Sequence, residues 1–125
     1  MKKRILYVED DAINALVMEK LLNEFYNVIH CTDGEGGLEA ISNETFDVVL
    51  MDINLGRGKM DGIETMKKMK AMHGSVKVIA VTSYALPEDK SRFLDEGFDD
   101  YIPKPVDRAI MLDRIGQLML PLQNR

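Results

Sequence analysis

The sequence of 125 residues contains little cysteine, no long apolar run and no excess of positive charge. Because Cys31 is the only cysteine, an intramolecular disulfide is excluded, and we expect it to be a small apolar side chain on a strand. No segment approaches the roughly 20 apolar residues that span a bilayer, and acids follow Met-Lys-Lys-Arg too soon for a signal peptide. The net charge of −5 argues against nonspecific binding of nucleic acid. We therefore expect a soluble, cytoplasmic protein without membrane contact.

Short apolar runs alternate with amphipathic segments five times along the chain, which is typical of an α/β fold with a parallel sheet. The predicted strands lie at roughly 4–8, 27–31, 47–51, 76–82 and 99–102. The predicted helices lie at roughly 12–25, 34–43, 62–73, 86–96 and 107–120. The third and fourth strands are almost continuously apolar, which predicts that they are central and covered on both faces.

Residues at the predicted helix ends support this division of the chain. Asp11 and Asp33 are placed to cap the first and second helices, since their side-chain oxygens accept from free backbone N–H groups. Gly74 and Gly97 follow the third and fourth helices, where a left-handed residue is expected. Pro87 lies in the first turn of the fourth helix, where its missing N–H does no harm.

The first helix has apolar residues on more than one side. At 100° per residue, one broad arc is predicted to face the sheet, formed by Val17, Met18, Leu21, Leu22 and Phe25. Ile13 and Leu16 lie outside this arc, on the side shared with Lys20. They are either scattered surface residues or a docking patch beside the strand ends, and the sequence leaves both interpretations open.

Polar residues close or follow four of the predicted strands. They are Glu9, Asp10, Asp52, Thr82 and Lys104. In an open parallel α/β sheet, ligands bind outside the carboxyl ends of the strands, so these five side chains are expected to meet there. A lone Asp after a strand is usually a cap or turn residue, but five such positions in order predict a site for a divalent metal and a phosphate.

The types of side chain suit phosphoryl transfer. Mg2+ prefers oxygen ligands, which Asp10 and Asp52 supply, while Glu9 could reach the ion directly or through water. Lys104 offers a positive charge for phosphate and Thr82 a hydroxyl donor. Asp52 is the best candidate nucleophile, because its strand is central and aspartyl phosphate is an established type of intermediate.

These residues stand in five motifs, and together the motifs resemble the receiver domain of two-component response regulators. The motifs are Val8-Glu9-Asp10-Asp11, Leu50-Met51-Asp52-Ile53-Asn54-Leu55, Asp61-Gly62, Val81-Thr82-Ser83 and Tyr101-Ile102-Pro103-Lys104-Pro105. The resemblance covers nearly the whole chain. It implies a flavodoxin-like, doubly wound sheet of five parallel strands in order 2-1-3-4-5, with two helices on one face and three on the other.

The resemblance also implies roles for individual residues. Asp52 would accept a phosphoryl group from a phosphohistidine of a sensor kinase or phosphotransfer protein. The backbone carbonyl of Asn54 would join Asp10 and Asp52 in binding Mg2+, with Glu9 assisting through water. Thr82 and Lys104 would bind phosphoryl oxygens, and the Lys104–Pro105 peptide would be cis. Tyr101 would move with Thr82 as a switch, changing the face formed by helix four, strand five and helix five.

One segment departs from the usual pattern of the family. Residues 56–60 replace a usual Pro with a Gly-rich loop, so that Gly62 comes two residues later than in the family pattern.

We expect a single domain over residues 1–125 with no output domain, acting as a signalling module rather than an enzyme. An excised receiver of a hybrid histidine kinase would look the same. A Mg2+-dependent phosphatase with an aspartyl nucleophile would need an acid where Asn54 stands, and a flavodoxin-like cofactor binder would not have three acids after its first strand. The downstream partner and any dimerisation of the monomer on phosphorylation stay open.

Overall fold

A computed structural model describes residues 2–55, 60–84 and 86–119. The strands are β1 (Lys3–Val8), β2 (Tyr26–Cys31), β3 (Val48–Asp52), β4 (Val78–Thr82) and β5 (Asp100–Pro103). The helices are α1 (Ala12–Leu22), α2 (Gly34–Asn43), α3 (Gly62–Met72), α4 (Pro87–Glu96) and α5 (Arg108–Met119). The predicted loop lies outside the described residues at 56–59, as does position 120 of the fifth predicted helix.

All five strands are parallel, and their order in the sheet is β2-β1-β3-β4-β5, as predicted. Every residue of β3 and β4 is buried, which confirms that these two strands are covered on both faces. Their Val- and Ile-rich sequences suit that position, because β-branched side chains pack well on a pleated surface.

The two faces of the sheet carry separate cores, since successive side chains of a strand point in opposite directions. On one face, strand residues such as Leu6 and Met51 pack with residues of α2, α3 and α4. On the other face, Ile5 and Leu50 pack with residues of α1 and α5. Three helices therefore cover one face and two the other, as expected. Within the described residues, every helix is too short or too polar to cross a bilayer.

The structure confirms most of the predicted helix ends. Asp11 Oδ1 accepts from the backbone N–H groups of Ile13 at 2.8 Å and Asn14 at 3.0 Å. Asp33 caps α2, Pro87 is the first residue of α4, and Gly97 has the positive φ of 125°. The prediction for Gly74 is wrong. The chain leaves α3 at His73 in an extended conformation, with φ −139°, so that no left-handed residue is needed there.

The prediction for α1 is wrong in part of its buried face. The helix ends at Leu22, three residues before the predicted position 25. Its buried stripe consists of Ala15, Met18 and Leu22, while Val17 is 52% exposed. One residue corresponds to 100° of rotation, which places Val17 on the outer flank of this narrower stripe. Phe25 lies in the turn beyond the helix and is 49% exposed.

A glycine lets α3 begin directly against the end of β3. The backbone N–H of Gly62 donates to the carbonyl of Ile53 at 3.2 Å. A Cβ at position 62 would collide with the carbonyl oxygen of Asp52 and lie 3.0 Å from Cα of Ile53. Because both atoms belong to the backbone of the segment that carries Asp52, neither can move without disturbing that residue.

The substitution Gly62→Ala should lower the free energy of unfolding by about 1–3 kcal/mol, because it forces a methyl group into a filled space. Urea denaturation measures this change. Gly116→Ala is the matched control, since a Cβ there meets no atom within 4 Å and Gly116 lies inside α5. Alanine should stabilise that helix by about 0.5–1 kcal/mol. Equal effects of the two substitutions would contradict the assigned close approach.

Candidate functional site

The register of the strands brings Glu9 and Asp52 to the same edge of the sheet. Val8 of β1 pairs with Met51 of β3. Glu9 and Asp52 are the next residues after this pair, so they lie side by side. The backbone N–H of Glu9 also donates to the carbonyl of Cys31 at 2.9 Å, which extends the pairing of β1 with β2. Glu9 and Asp52 are 1% and 4% exposed, so both carboxyl groups are largely removed from water.

The same register places Thr82 and Lys104 beside them. Asp52 pairs with Val81, and Thr82 pairs with Pro103. The backbone N–H of Lys104 donates to the carbonyl of Thr82 at 2.7 Å. All four residues therefore lie at the carboxyl edge of the sheet, where the sequence predicted a site.

The three acids form a compact cluster that could hold a metal ion. One carboxylate oxygen each from Glu9, Asp10 and Asp52 lies within 4.8 Å of the others. Asp10 is exposed at the mouth of the cluster, whereas the other two are buried beneath it. Carboxylates gathered at this distance are the ligands that hard divalent cations prefer.

Lys104 is a cation that the structure places directly against this cluster. Its Nζ lies 3.2 Å from Asp52 Oδ1 and 3.5 Å from Glu9 Oε1. This one ammonium contacts two of the three carboxyl groups, so the negative charge of the cluster is only partly compensated. Asp52 Oδ1 also accepts from the backbone N–H of Asn54 at 3.3 Å.

Desolvation and the neighbouring carboxyl groups raise the pKa values of two of the acids. Burial raises the pKa of Glu9 above its ordinary value, and the hydrogen bond and charge of Asp52 raise it further. Desolvation also raises the pKa of Asp10, followed by the hydrogen bond and charge of Glu9. A bound cation would relieve both effects, since it favours the ionised carboxylates.

Two polar contacts of Glu9 were missed by the sequence analysis. The hydroxyl of Tyr7, a buried side chain of β1, donates to Glu9 Oε1 at 2.9 Å. His30 Nε2 lies 2.6 Å from the carbonyl oxygen of Glu9. A signal for the first contact was available, because residues two apart on a strand share a face and Tyr7 is the one hydroxyl-bearing residue in the apolar run 5–8.

Thr82 and Tyr101 lie on the neighbouring strands β4 and β5, two positions apart in the register. Thr82 is buried, and its Oγ1 accepts from the backbone N–H of Tyr84 at 3.0 Å. Tyr101 pairs with Ala80, two residues before Thr82, so that the small alanine side chain lies beside the ring. The Lys104–Pro105 peptide bond, at the end of the same strand, is cis.

The ring of Tyr101 is held between two helices. Lys90 Nζ of α4 lies 5.3 Å from the ring centroid, and Cζ of Arg114 of α5 lies 4.9 Å from it. Arg114 Nη1 also donates to the Tyr101 carbonyl at 2.8 Å and to Asp100 Oδ1 at 3.1 Å. These cation–π contacts connect the half-buried ring to both helices that flank β5.

The residues for which the sequence left open a docking patch or scattered surface positions lie on the outside of α1. Ile13 is 73% exposed and Leu16 53% exposed, and Lys20 is exposed as well. Val17, predicted to be buried, joins them. The four positions are spaced by three, one and three residues, so they form one continuous stripe along the helix. We call Ile13, Leu16, Val17 and Lys20 the α1 stripe.

Residues 5–116 match the family model of the response regulator receiver domain. The chain belongs to the response regulator receiver domain family. The acidic cluster of this receiver domain lies where the family has its phosphoacceptor site. The domain is therefore a signalling module of two-component systems, from a family that is generally not enzymatic.

Similar receiver domains occur in proteins of different overall organisation. Transcriptional regulatory protein ZraR of Escherichia coli (strain K12) is 36% identical over 104 residues, which are 82% of this chain and 23% of that protein. Sensor protein GacS of Pseudomonas syringae pv. syringae is 31% identical over 109 residues, 82% of this chain and 12% of that protein. The chain thus spans less than a quarter of the length of either relative.

Solved structures of receiver domains superpose closely on this one. A CheY-like receiver domain protein from Methanospirillum hungatei JF-1 is 36% identical, with a TM-score of 0.83 over 95% of this chain and 94% of that one. The receiver domain of sensor histidine kinase PA1611 from Pseudomonas aeruginosa PAO1 is 30% identical, with a TM-score of 0.85 over 95% and 98%. That structure has a magnesium ion coordinated in its active-site cleft.

The raised pKa of Asp10 predicts that its charge destabilises the metal-free domain near neutral pH. A raised pKa in the folded state means that stability is lost as the pH rises from the ordinary value of 3.8 through the folded pKa. In EDTA, Asp10→Asn should therefore raise the melting temperature at about pH 7.5, and the gain should shrink as the pH falls toward 4.

Asp113→Asn is the control for the removal of one negative charge, because Asp113 is an exposed residue of α5. It should change the melting temperature little at either pH. A melting temperature of Asp10→Asn below that of the unsubstituted domain at about pH 7.5 would contradict the assigned repulsion among the acids.

Proposed function

We propose that Asp52 is the phosphoacceptor of this domain and that it takes a phosphoryl group from a phosphohistidine. The observation that carries the proposal is the contact of its buried carboxylate with Lys104 at 3.2 Å, within a cluster of two further acids. A carboxylate oxygen of Asp52 would attack phosphorus as the bond from phosphorus to the imidazole nitrogen breaks. The imidazole leaves with the electron pair of that bond and takes up a proton.

The acid cluster fits a bound Mg2+ ion. Glu9, Asp10 and Asp52 offer three carboxylates within reach of one ion, and the carbonyl of Asn54 follows two residues after Asp52. When bound, Mg2+ would offset the negative charge that accumulates between the carboxylates and the phosphoryl group. The magnesium-containing receiver domain of PA1611 supports this assignment.

Lys104 and Thr82 would bind oxygens of the phosphoryl group once it is on Asp52. Lys104 Nζ already contacts the Asp52 carboxylate, so a short movement would bring it to a phosphoryl oxygen. The hydroxyl of Thr82 accepts from Tyr84 N–H, and its own proton is available for donation to a second oxygen. Both contacts strengthen as negative charge grows at the site, which favours the phosphorylated form.

The signal would leave the site through Thr82 and Tyr101. Movement of Thr82 toward the phosphoryl group would open space beside Ala80, into which the neighbouring ring of Tyr101 could turn. That rotation would break its contacts with Lys90 and Arg114, and so change the face formed by α4, β5 and α5. The change is a shift between two populations that a local charge biases.

The α1 stripe would receive the phosphohistidine-bearing partner. It begins two residues after the acid cap Asp11, close to the mouth of the acid cluster. Exposed apolar side chains beside a reaction centre suit the docking of a partner helix. Relatives carry a receiver domain both in a transcriptional regulatory protein and in a sensor protein, and the proposal holds for either arrangement.

Incubation with acetyl phosphate tests the phosphoacceptor. We expect intact mass spectrometry to show one phosphoryl adduct in Mg2+ and none in EDTA. Asp52→Asn should abolish the adduct, because an amide is not a nucleophile for phosphorus under these conditions.

Asp61→Asn is the matched control. Asp61 caps α3 by accepting from Glu64 N–H at 2.8 Å, and an asparagine keeps that cap. This variant should be phosphorylated like the unsubstituted domain. A folded, unsubstituted domain that stays unmodified in Mg2+ would overturn the proposal.

A second experiment separates docking from chemistry. Ile13→Ala combined with Leu16→Ala should slow transfer from a phosphorylated histidine phosphotransfer domain by about tenfold, since two apolar anchors are lost. Reaction with acetyl phosphate should be unchanged, because this small donor needs no docking surface.

Met72→Ala serves as the control for removing an exposed apolar side chain. Met72 is 47% exposed at the end of α3, away from the α1 stripe. Met72→Ala should react with the phosphotransfer domain and with acetyl phosphate at the same rates as the unsubstituted domain. Equal slowing with both donors in the double variant would show damage to the site instead of lost docking.

A further inference from the structure

Tyr7 places a polar group beneath the acid cluster, within the otherwise apolar run 5–8 of β1. Its side chain is 1% exposed and packs in the core between the sheet and helices α1 and α5. Its hydroxyl donates to Glu9 Oε1 at 2.9 Å. A buried tyrosine hydroxyl ordinarily needs such a partner, and here the partner is one of the three clustered acids.

Glu9 is held at several points besides this one. Its backbone N–H donates to Cys31, and its carbonyl lies 2.6 Å from His30 Nε2. The backbone N–H of Asp11 donates to Glu9 Oε2 at 3.3 Å. Lys104 Nζ lies 3.5 Å from Oε1, so this oxygen has two donors, of which the tyrosine hydroxyl is the nearer.

The two donors on Oε1 differ in what else they do. Lys104 also contacts Asp52, and under the proposed function it moves to a phosphoryl oxygen. Tyr7 is buried in the core and has no such second task at the reacting group. When Lys104 is drawn toward a phosphoryl group, Glu9 Oε1 loses its longer contact, the one with Lys104. It keeps the shorter hydrogen bond from the Tyr7 hydroxyl.

The length of Glu9 gives this contact its importance. A glutamate has one more rotatable bond than an aspartate, so its carboxylate must lose more freedom to be held toward a cation. A hydrogen bond from the fixed Tyr7 ring restricts that freedom before the cation arrives. Outer-shell groups that orient a ligand in this way change metal affinity by about 10- to 100-fold.

We propose that Tyr7 is a positioning residue that holds the Glu9 carboxylate toward the cation site formed with Asp10 and Asp52. This inference rests on the proposed Mg2+ binding of that cluster. Tyr7 thus contributes to cation affinity through Glu9 and contacts neither the ion nor the phosphoryl group.

Calorimetric titration with MgCl2 tests the inference on the whole chain. Tyr7→Phe removes only the hydroxyl and should raise the Kd for Mg2+ about tenfold. At saturating Mg2+, its rate of phosphorylation by acetyl phosphate should return to within about twofold of the unsubstituted rate. Tyr26→Phe is the matched control at the opposite end of the sheet, where Tyr26 pairs with Lys3, and it should leave the Kd unchanged.

A double-mutant cycle with Glu9→Asp shows whether the effect passes through Glu9. The aspartate is shorter by one methylene group, which should withdraw its carboxylate from the Tyr7 hydroxyl, so Tyr7→Phe should change the Kd less than twofold in that background. An equal tenfold effect in both backgrounds would indicate general damage to the core and would overturn the positioning role.

A measurement on the unsubstituted protein covers the case in which a variant does not fold. With tyrosine labelled at 13Cζ, the Tyr7 resonance should shift during the Mg2+ titration, while the Tyr26 resonance stays constant. Normal Mg2+ binding with an unchanged Tyr7 resonance, or with an unchanged Kd in Tyr7→Phe, would overturn the inference and leave the proposed function standing. An absence of Mg2+ binding by the unsubstituted domain would overturn both.

Discussion

The rest of this structure depends on the repulsion among three carboxyl groups that a parallel sheet brings to one edge. Parallel strands end on the same side of the sheet, so the acids at the ends of β1 and β3 lie close together. Burial of Glu9 and Asp52 strengthens the repulsion, because little water is present to screen it. Lys104 offsets only part of the negative charge. The result is a site that a bound cation would stabilise, as the proposed Mg2+-dependent phosphoacceptor requires.

Holding like charges together requires a rigid support, and the sheet supplies it. Strand β3, which carries Asp52, and its neighbour β4 are buried along their whole length, and α3 is packed against the end of β3 through Gly62. The surfaces proposed to contact other proteins lie outside this buried part of the sheet. The α1 stripe is exposed beside the mouth of the cluster, and Tyr101 lies at the outer strand between α4 and α5. The proposed chemistry thus lies on a fully buried part of the sheet, and the proposed recognition surfaces lie outside it.

Tyr101 shows how one contact can couple these two parts. Its ring lies between Lys90 and Arg114, and its backbone carbonyl also accepts from Arg114. A change at Thr82 that moved the ring would therefore be felt by both helices at once. No sequence motif predicts the contacts of Lys90 and Arg114 with this ring, because these contacts depend on how α4 and α5 pack beside β5. Val17 and Phe25 make the same point for α1, where a helical arc drawn from the sequence was broader than the stripe that the sheet could cover.

The sequence by itself determined the class of fold, the order of the strands through its family motifs, and the acids, hydroxyl and lysine of the site. It could do so because apolar periods of two and 3.6 are local, and because residues that follow parallel strands must meet at one edge. The tertiary structure alone decided how these groups touch. It showed Lys104 shared between Glu9 and Asp52, and His30 against the Glu9 carbonyl. Such contacts join residues as far as 95 positions apart, so they depend on register and packing that no local pattern encodes.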